Sequence, residues 1–410
     1  MVGVRRPMCK SKSSAATATA DSVVPSTSRS SSTHHRRNHT NSYNSSASSL
    51  STTSSSAASS LQALKQGSLP NLPLLLTFAE LAAATSNFSP THRLAPSSSN
   101  SFRCALRGHP AAVFRRALRR DPAEVSARLA VLGHCHHAAI ARLYGAAASP
   151  DGSLFLAYEL VPDAAPLSAL LRGAAHNRAF TPLATWAARL RVAADACDAL
   201  SYVHLQAGTV HNRLSSSTVL VCGDGARLRA KIAHFGAADL AGELPPSDSD
   251  TQSHPTSARH RRTGSRRIEG TRGYMAPEII AGGAPSRSSD VFALGVLLLE
   301  LLSGEEPVRY EHNKATGEYE RTSLIETAGA AAGGGEAMRR WVDRRLKDSF
   351  PVDAAETLTA VALRCVAKDP AARPEMPWVA AKVSKLFLEA QDWADKFRVP
   401  TDISVSFAPR

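Results

Sequence analysis

The apolar positions change texture along the chain. Up to about residue 72 they are sparse, and the run 44–60 reads NSSASSLSTTSSSAASS. Too few large apolar side chains are present to offset the entropy of ordering a backbone, which predicts a disordered tail over 1–72. At Leu74 the pattern turns periodic. LLLTFAELAAATSNF (74–88) sets Phe78, Leu81, Ala82 and Ala84 at roughly helical spacing, an amphipathic lead-in helix. Strand-like runs follow over 111–117 and 153–160, with a helical stretch over 123–132 between them. LATWAARLRVAADACDALSYVH (183–204) places Leu183, Trp186, Leu190, Ala193, Ala194, Cys197 and Leu200 on one face. DVFALGVLLLELLSG (290–304) is apolar nearly all round, the mark of a helix buried at a domain centre. The pattern predicts an α+β chain with a small β-rich lobe over about 76–162 and a larger helical lobe over about 163–390. A C-terminal extension is expected over 391–410. One long interruption, 241–270, is rich in Ser, Pro and Arg; a loop of that length inside a compact domain is functional or disordered.

Composition and charge change this picture in three respects. Six cysteines stand alone at 9, 104, 135, 197, 222 and 365, with no C-x-x-C pair, so a zinc ribbon or disulfide scaffold is not expected and a reducing compartment fits. The longest apolar run falls short of the roughly 18 residues a membrane span needs, and Glu300 interrupts it. The expected protein is therefore soluble or peripheral, without an ectodomain. The net charge of +13 raises nucleic acid, anionic membrane and acidic partners as candidates. Its distribution decides among them. The tail holds Arg5, Arg6, Lys10, Lys12, Arg29, Arg36, Arg37 and Lys65 against Asp21 alone. Residues 251–268 hold Arg259, Arg261, Arg262, Arg266 and Arg267 with no acid. Those segments carry all but one unit of the excess, so the lobes are nearly neutral and nucleic acid is not an expected partner.

Short motifs then follow in a telling order. Val210-His211-Asn212-Arg213-Leu214 precedes SSSTVLV; KIAHFG spans 231–236, GTRGYMAPE 270–278, SDVFALGVLLLELLSGEEP 289–307 and RCVAKDPAARPEM 364–376. This series resembles a eukaryotic protein kinase domain of the plant receptor-like group, over about residues 76–390 with an activation segment over 234–278. The whole chain, from MCKSKSS to DISVSFAPR, is similar to plant LysM-domain receptor-like kinases that carry no LysM ectodomain. The resemblance implies a two-lobed kinase fold, ATP with Mg²⁺ as cofactors, and Ser/Thr phosphorylation.

The residues that would perform that chemistry depart from the pattern. Phosphoryl transfer needs a cradle for phosphates, a cation on them, two metal ions and a base for the attacking hydroxyl. The cradle falls on LAPSSSNSFRC (94–104), which has no glycine to let backbone amides close on phosphates. The strand lysine falls on Phe114, and its glutamate partner on Arg128. Arg115 or Arg116 is the candidate substitute cation, although a strand turns neighbouring side chains to opposite faces. The base falls on Arg213, which stays protonated at any usable pH. Asn212 and Ser215 replace the flanking Arg and Lys. The metal ligands fall on Thr218 and His234, and imidazole suits softer metals than Mg²⁺. No metal site is expected. Cofactors are not expected either, ATP and Mg²⁺ entering only if the chain is a weak kinase.

Positions that hold the architecture are kept. By the resemblance, Leu132, Leu143, His211 and Phe235 form a stack through both lobes. Asp290 holds the catalytic-loop backbone, and Glu278 pairs with Arg373 in the large lobe. The expected function is a pseudokinase that scaffolds or regulates a plant receptor-kinase pathway, its partners being membrane receptor kinases; the alternative is a weakly active Ser/Thr kinase. Ser265 follows Arg262 by three residues, and Thr263, Ser265 and Thr271 are phosphorylation candidates, since a phosphate there would find arginine partners. Cys9 lies within the basic tail, so palmitoylation plus charge would hold a cytoplasmic protein at the inner face of the plasma membrane; Val2 rules out N-myristoylation. A free thiol is the plain alternative. The Ser-rich, acid-poor start also fits a plastid transit peptide, the lesser alternative.

Overall fold

Alternation of buried and exposed side chains builds the first layer of the fold. The computed structural model describes residues 74–95, 98–172, 181–244, 270–312 and 317–397. Strands β1 (Leu74–Leu75), β2 (Ser101–Leu106), β3 (His109–Ala117), β4 (Leu143–Ala148) and β5 (Ser153–Glu159) form a sheet in the order β1-β4-β5-β3-β2. β1 runs parallel to β4 and the other pairs are antiparallel. Helix α1 (Phe78–Ala84) is the lead-in helix, capped by the Thr77 hydroxyl. The following turn brings Phe88 onto Phe155, with ring centroids 4.7 Å apart, and onto Phe102 at 5.2 Å. Leu76, Leu81 and Leu106 complete this second, smaller core, which covers one face of the sheet. Helix α2 (Pro122–Leu132) starts at Asp121 with proline in its first turn and buries Val125, Leu129 and Leu132.

The large lobe opens with β6 (Ala165–Pro166) and α3 (Leu167–Arg172), then α4 (Trp186–Leu205). Leu183 is buried but precedes α4, which Thr185 caps; the helical face read from the sequence begins one turn too early. β7 (Val219–Cys222) pairs with β6 on one side and with β8 (Arg229–Ile232) on the other in a small sheet, followed by α5 (Ala237–Ala241) and α6 (Pro277–Ile280). Helix α7 (Arg287–Ser303) has a capping box from Ser286 and Ser289 and is buried continuously from Ser289 to Ser303, as its all-round apolar pattern requires. Strands β9 (Val308–His312) and β10 (Tyr319–Ser323) form a hairpin that the pattern did not signal. Four helices close the lobe: α8 (Leu324–Ala331), α9 (Gly335–Trp341), α10 (Val352–Cys365) against α7, and α11 (Met376–Phe397) along α4. The boundary expected at residue 390 falls inside α11, which still buries Ala390 and Ala394. No helix among the described residues is long and apolar enough to cross a membrane. The described cysteines are all free.

Candidate functional site

β3 and the turn after β8 deliver the side chains that decide the chemistry. Phe114 and Arg116 share the inner face of β3, while Arg115 points outward and pairs with Asp151 at 2.7 Å. Arg115 is therefore not available as a phosphate cation, because the pleat turns it away from the cleft. The Phe114 ring meets His234 edge-on, centroids 4.3 Å apart, where the resemblance expects a lysine and an aspartate. Tyr158 closes the group from β5, 5.8 Å from His234, and donates its hydroxyl proton to the Phe235 carbonyl at 2.9 Å.

His234 has φ +65, in the left-handed region. Burial, and then chiefly the charge of Arg116, push its imidazole down to about 3, so the ring is neutral. Its Nδ1 is closed off from water and meets no hydrogen-bond partner among the described residues. A neutral imidazole ringed by guanidinium groups is a poor ligand for a hard divalent cation.

The second candidate cation is occupied as well. Arg116 Nη1 donates to Glu243 Oε1 at 3.2 Å, and Arg213 Nη2 donates to the same oxygen at 3.0 Å. Glu243, 6% exposed at its side chain, thus lies between the strand arginine and the arginine that stands at the catalytic-base position. One step back, Arg120 donates to the Asp239 backbone at 3.1 Å and to its carboxylate at 3.2 Å, and Arg128 lies 3.6 Å from the same carboxylate. No exchanged pair between positions 114 and 128 exists, but Arg128 is not bereft: its acid comes from α5 instead. The backbone fits this approach closely. Arg119 N donates to Ala241 O at 2.9 Å, and a Cβ on Gly242 would come within 2.9 Å of Arg120 N. These contacts clamp the start of the activation segment to the small lobe.

The catalytic-loop counterparts spend their polar groups on each other. Thr218 Oγ1 donates to Arg213 O and accepts from Ser215 N, both at 2.9 Å, and Ser215 Oγ lies 2.8 Å from Ser217 Oγ. Asn212 takes φ +61, which Asn tolerates better than most residues. Among the described residues no cluster of three or more His, Cys, Asp or Glu side chains could hold a metal ion.

The architectural residues lie as follows. Leu132, Leu143, His211 and Phe235 are all buried. His211 Nε2 donates to Ala233 O at 2.8 Å and Nδ1 accepts from Arg213 N at 3.3 Å, a neutral tautomer. Asp290 accepts from the backbone of His211 (2.6 Å) and Asn212 (2.8 Å) and from His204 Nε2 (3.0 Å). Arg373 holds Glu278 through two parallel bonds of 2.7 Å. Thr271 is exposed. Thr263, Ser265, Cys9 and the basic tail lie outside the described residues.

One buried acid went unnoticed as a site residue. Glu300 of α7 is fully buried, bonded to the Arg172 guanidinium and to Ser216 Oγ. Burial pushes its carboxyl up to about 7, against the pull of Arg172. The folded chain then keeps a proton that the unfolded chain releases near 4.5. Stability is expected to fall by roughly 3 kcal/mol as pH rises from about 4.5 to about 7. Glu300→Gln should flatten that slope, read as the difference between the two urea midpoints across this range.

The family profile for the protein kinase domain matches residues 114–383. Protein LYK5 of Arabidopsis thaliana is 32% identical over 324 residues, 78% of this chain and 44% of that protein. LysM domain receptor-like kinase 3 of the same plant is 29% identical over 332 residues, 78% of this chain and 47% of that protein. The chain thus spans about half the length of these two relatives. Probable serine/threonine-protein kinase PBL10, also from Arabidopsis, is 30% identical over 332 residues, 77% of this chain and 74% of that protein.

Proposed function

The chain belongs to the protein kinase domain family, and from that premise we propose that it is a pseudokinase, a signalling scaffold or regulator in a plant receptor-kinase pathway. The observation that carries this reading is the filled site. Phe114 packs on His234 where a phosphate-binding lysine and a metal-binding aspartate would stand, and Glu243 accepts from both Arg116 and Arg213. ATP with Mg²⁺ does not suit these residues. Glu243 occupies the N–H groups that Arg116 and Arg213 would turn to a phosphate, and neither His234 nor Thr218 offers the metal a carboxylate.

Scaffold function needs the fold rather than the chemistry. Asp290, and Glu278 with Arg373, supply the buried polar contacts that keep the loop and the large lobe in place. The likeness to plant receptor-like kinases supports membrane receptor kinases as the protein partners, and a cytoplasmic site of action follows from that partnership.

The discriminating experiment is a thermal shift with ATP and Mg²⁺ or Mn²⁺. A ligand that binds only the native state at 100 times its Kd stabilises by about 2.7 kcal/mol, a shift of several degrees. No shift is expected at millimolar nucleotide. A clear shift, together with phosphate transfer that disappears when His234 is changed, would overturn the proposal in favour of a weak Ser/Thr kinase.

A further inference from the structure

The hairpin β9–β10 turns an aromatic face to solvent. Strand alternation puts Tyr310 and His312 on one side of β9, and the register sets Arg321 opposite Tyr310 and Tyr319 opposite His312. All four side chains are exposed, Tyr310 to 45% and Tyr319 to 71%. Arg309, Glu311, Glu320 and Thr322 fall on the other side. Alternation thus sorts the two strands into an aromatic face with a cation and a face that takes both strand acids.

The end of the activation segment brings a second cation to the aromatic face. Arg272 is exposed, lies over the Tyr310 ring at 4.6 Å from its centroid, and donates to Tyr310 Oη. That acceptor is a neutral hydroxyl, so the charge of Arg272 stays uncompensated and its guanidinium has further N–H groups to give. Neither Arg272 nor Arg321 meets a carboxylate among the described residues. The face is also set before a partner arrives. The His312 and Tyr319 rings meet edge-on, centroids 5.1 Å apart. Leu324 N donates to Pro307 O at 3.0 Å where the hairpin begins, and a Cβ on Gly273 would come within 2.5 Å of the Pro307 side chain. Gly273, at φ +87, thus lets the segment that carries Arg272 lie directly against the hairpin.

Tyrosine and arginine are the side chains that most often carry binding energy in protein interfaces, and a guanidinium can take a carboxylate through two parallel bonds. We infer that this face docks an acidic, extended segment of a partner protein, with carboxylates on Arg272 and Arg321 and apolar side chains on Tyr310 and Tyr319. Charge complementarity selects the acid, because the face holds two cations and no carboxylate. Its strands are roughly 17 Å long, the span of about five extended residues. A lipid surface fits less well. Peripheral binding to anionic membranes draws on clusters of about 4–8 Lys or Arg, and this face has two. The inference stands apart from the pseudokinase reading, since a docking face would serve an active kinase equally.

The test reads backbone hydrogen exchange of the full chain over Val308–His312 and Tyr319–Ser323. Reading the strands themselves separates this face from the basic tail, which also attracts acids. The probe is a synthetic peptide in which glutamate and leucine alternate; its control carries glutamine in place of each glutamate. Saturating acidic peptide should slow exchange in both strands at least threefold, and the control should leave it unchanged. Arg321→Gln combined with Tyr319→Ser should abolish the slowing. Arg272→Gln, which leaves the hairpin sequence intact, should lower it by itself. Arg309→Gln removes a cation from the opposite face and should keep it. Absent slowing, or equal slowing by the control peptide, overturns the acidic partner. Slowing that survives the double variant, that is indifferent to Arg272→Gln, or that Arg309→Gln removes as well, overturns the face. Phosphatidylserine vesicles that slow both strands, and cease to do so in the double variant, would assign the face to a lipid surface and likewise overturn the proposal.

Discussion

Glu243→Ala is expected to lower the unfolding free energy by about 3–5 kcal/mol, the usual cost of removing one partner from a buried charge group. The wild-type carboxylate sits between two guanidinium groups and accepts from both. Its loss takes from Arg116 and Arg213 the carboxylate that both donate to and leaves their like charges unscreened from each other. Urea denaturation of the two proteins gives the difference directly. Charge loss and packing loss are separable here. A triple replacement, Arg116→Met and Arg213→Met with Glu243→Met, removes the charges together and should cost much less than the single change, because a buried charge group exchanged for apolar volume is often near neutral. A triple replacement as costly as Glu243→Ala would mean that shape, not charge, holds the clamp. A second readout bears on function. With its acid gone, the arginine pair becomes an anion site, so pyrophosphate should raise the melting midpoint of Glu243→Ala while leaving the wild type unmoved.

This clamp marks the limit of what the sequence made legible. The fold could be read because its signals are local. The all-round apolar run of α7 falls within one helix, its cap at Ser286 is adjacent, and the β3 and β5 runs declare themselves by composition. The departures at Phe114, Arg128, Arg213, Thr218 and His234 were legible for a related reason, since each stands inside a short motif with fixed neighbours. What replaced the missing chemistry was not legible. Glu243 lies 127 residues from Arg116, and no spacing rule connects an acid in a turn after α5 to an arginine on a strand. The strand pleat already set Arg115 and Arg116 on opposite faces; what it could not show is that the inward Arg116 is taken by Glu243. Glu300 read as an interruption in an apolar run; its role emerges only once Arg172 and Ser216 are seen to meet it. Its position in the middle of a helix that must be buried all round was the available signal. The hairpin β9–β10 escaped because its exposed strands alternate charge and tyrosine without an apolar face to register.

The largest loss is expected at Asp290. Its carboxylate, 2% exposed, serves three donors at once: the backbone N–H groups of His211 and Asn212 and the ring of His204. Asp290→Ala leaves all three in a site that water does not reach, and each unsatisfied buried donor costs about 1–3 kcal/mol. A total of roughly 4–6 kcal/mol is expected from those terms, a large part of the stability of an ordinary domain. Asp290→Asn keeps shape and one acceptor oxygen, so it should recover part of the loss in the same urea titration. The consequence reaches the clamp, because Asn212 precedes Arg213 and is held in a left-handed backbone conformation by that carboxylate. Release of the loop should withdraw Arg213 from Glu243. Glu243→Ala and Asp290→Ala are then coupled, and the double variant should lose less than the two single losses combined, by about 0.5–3 kcal/mol. Losses that add to within about 0.5 kcal/mol would show that the loop stays in place without Asp290, and that the buried carboxylate serves the large lobe alone.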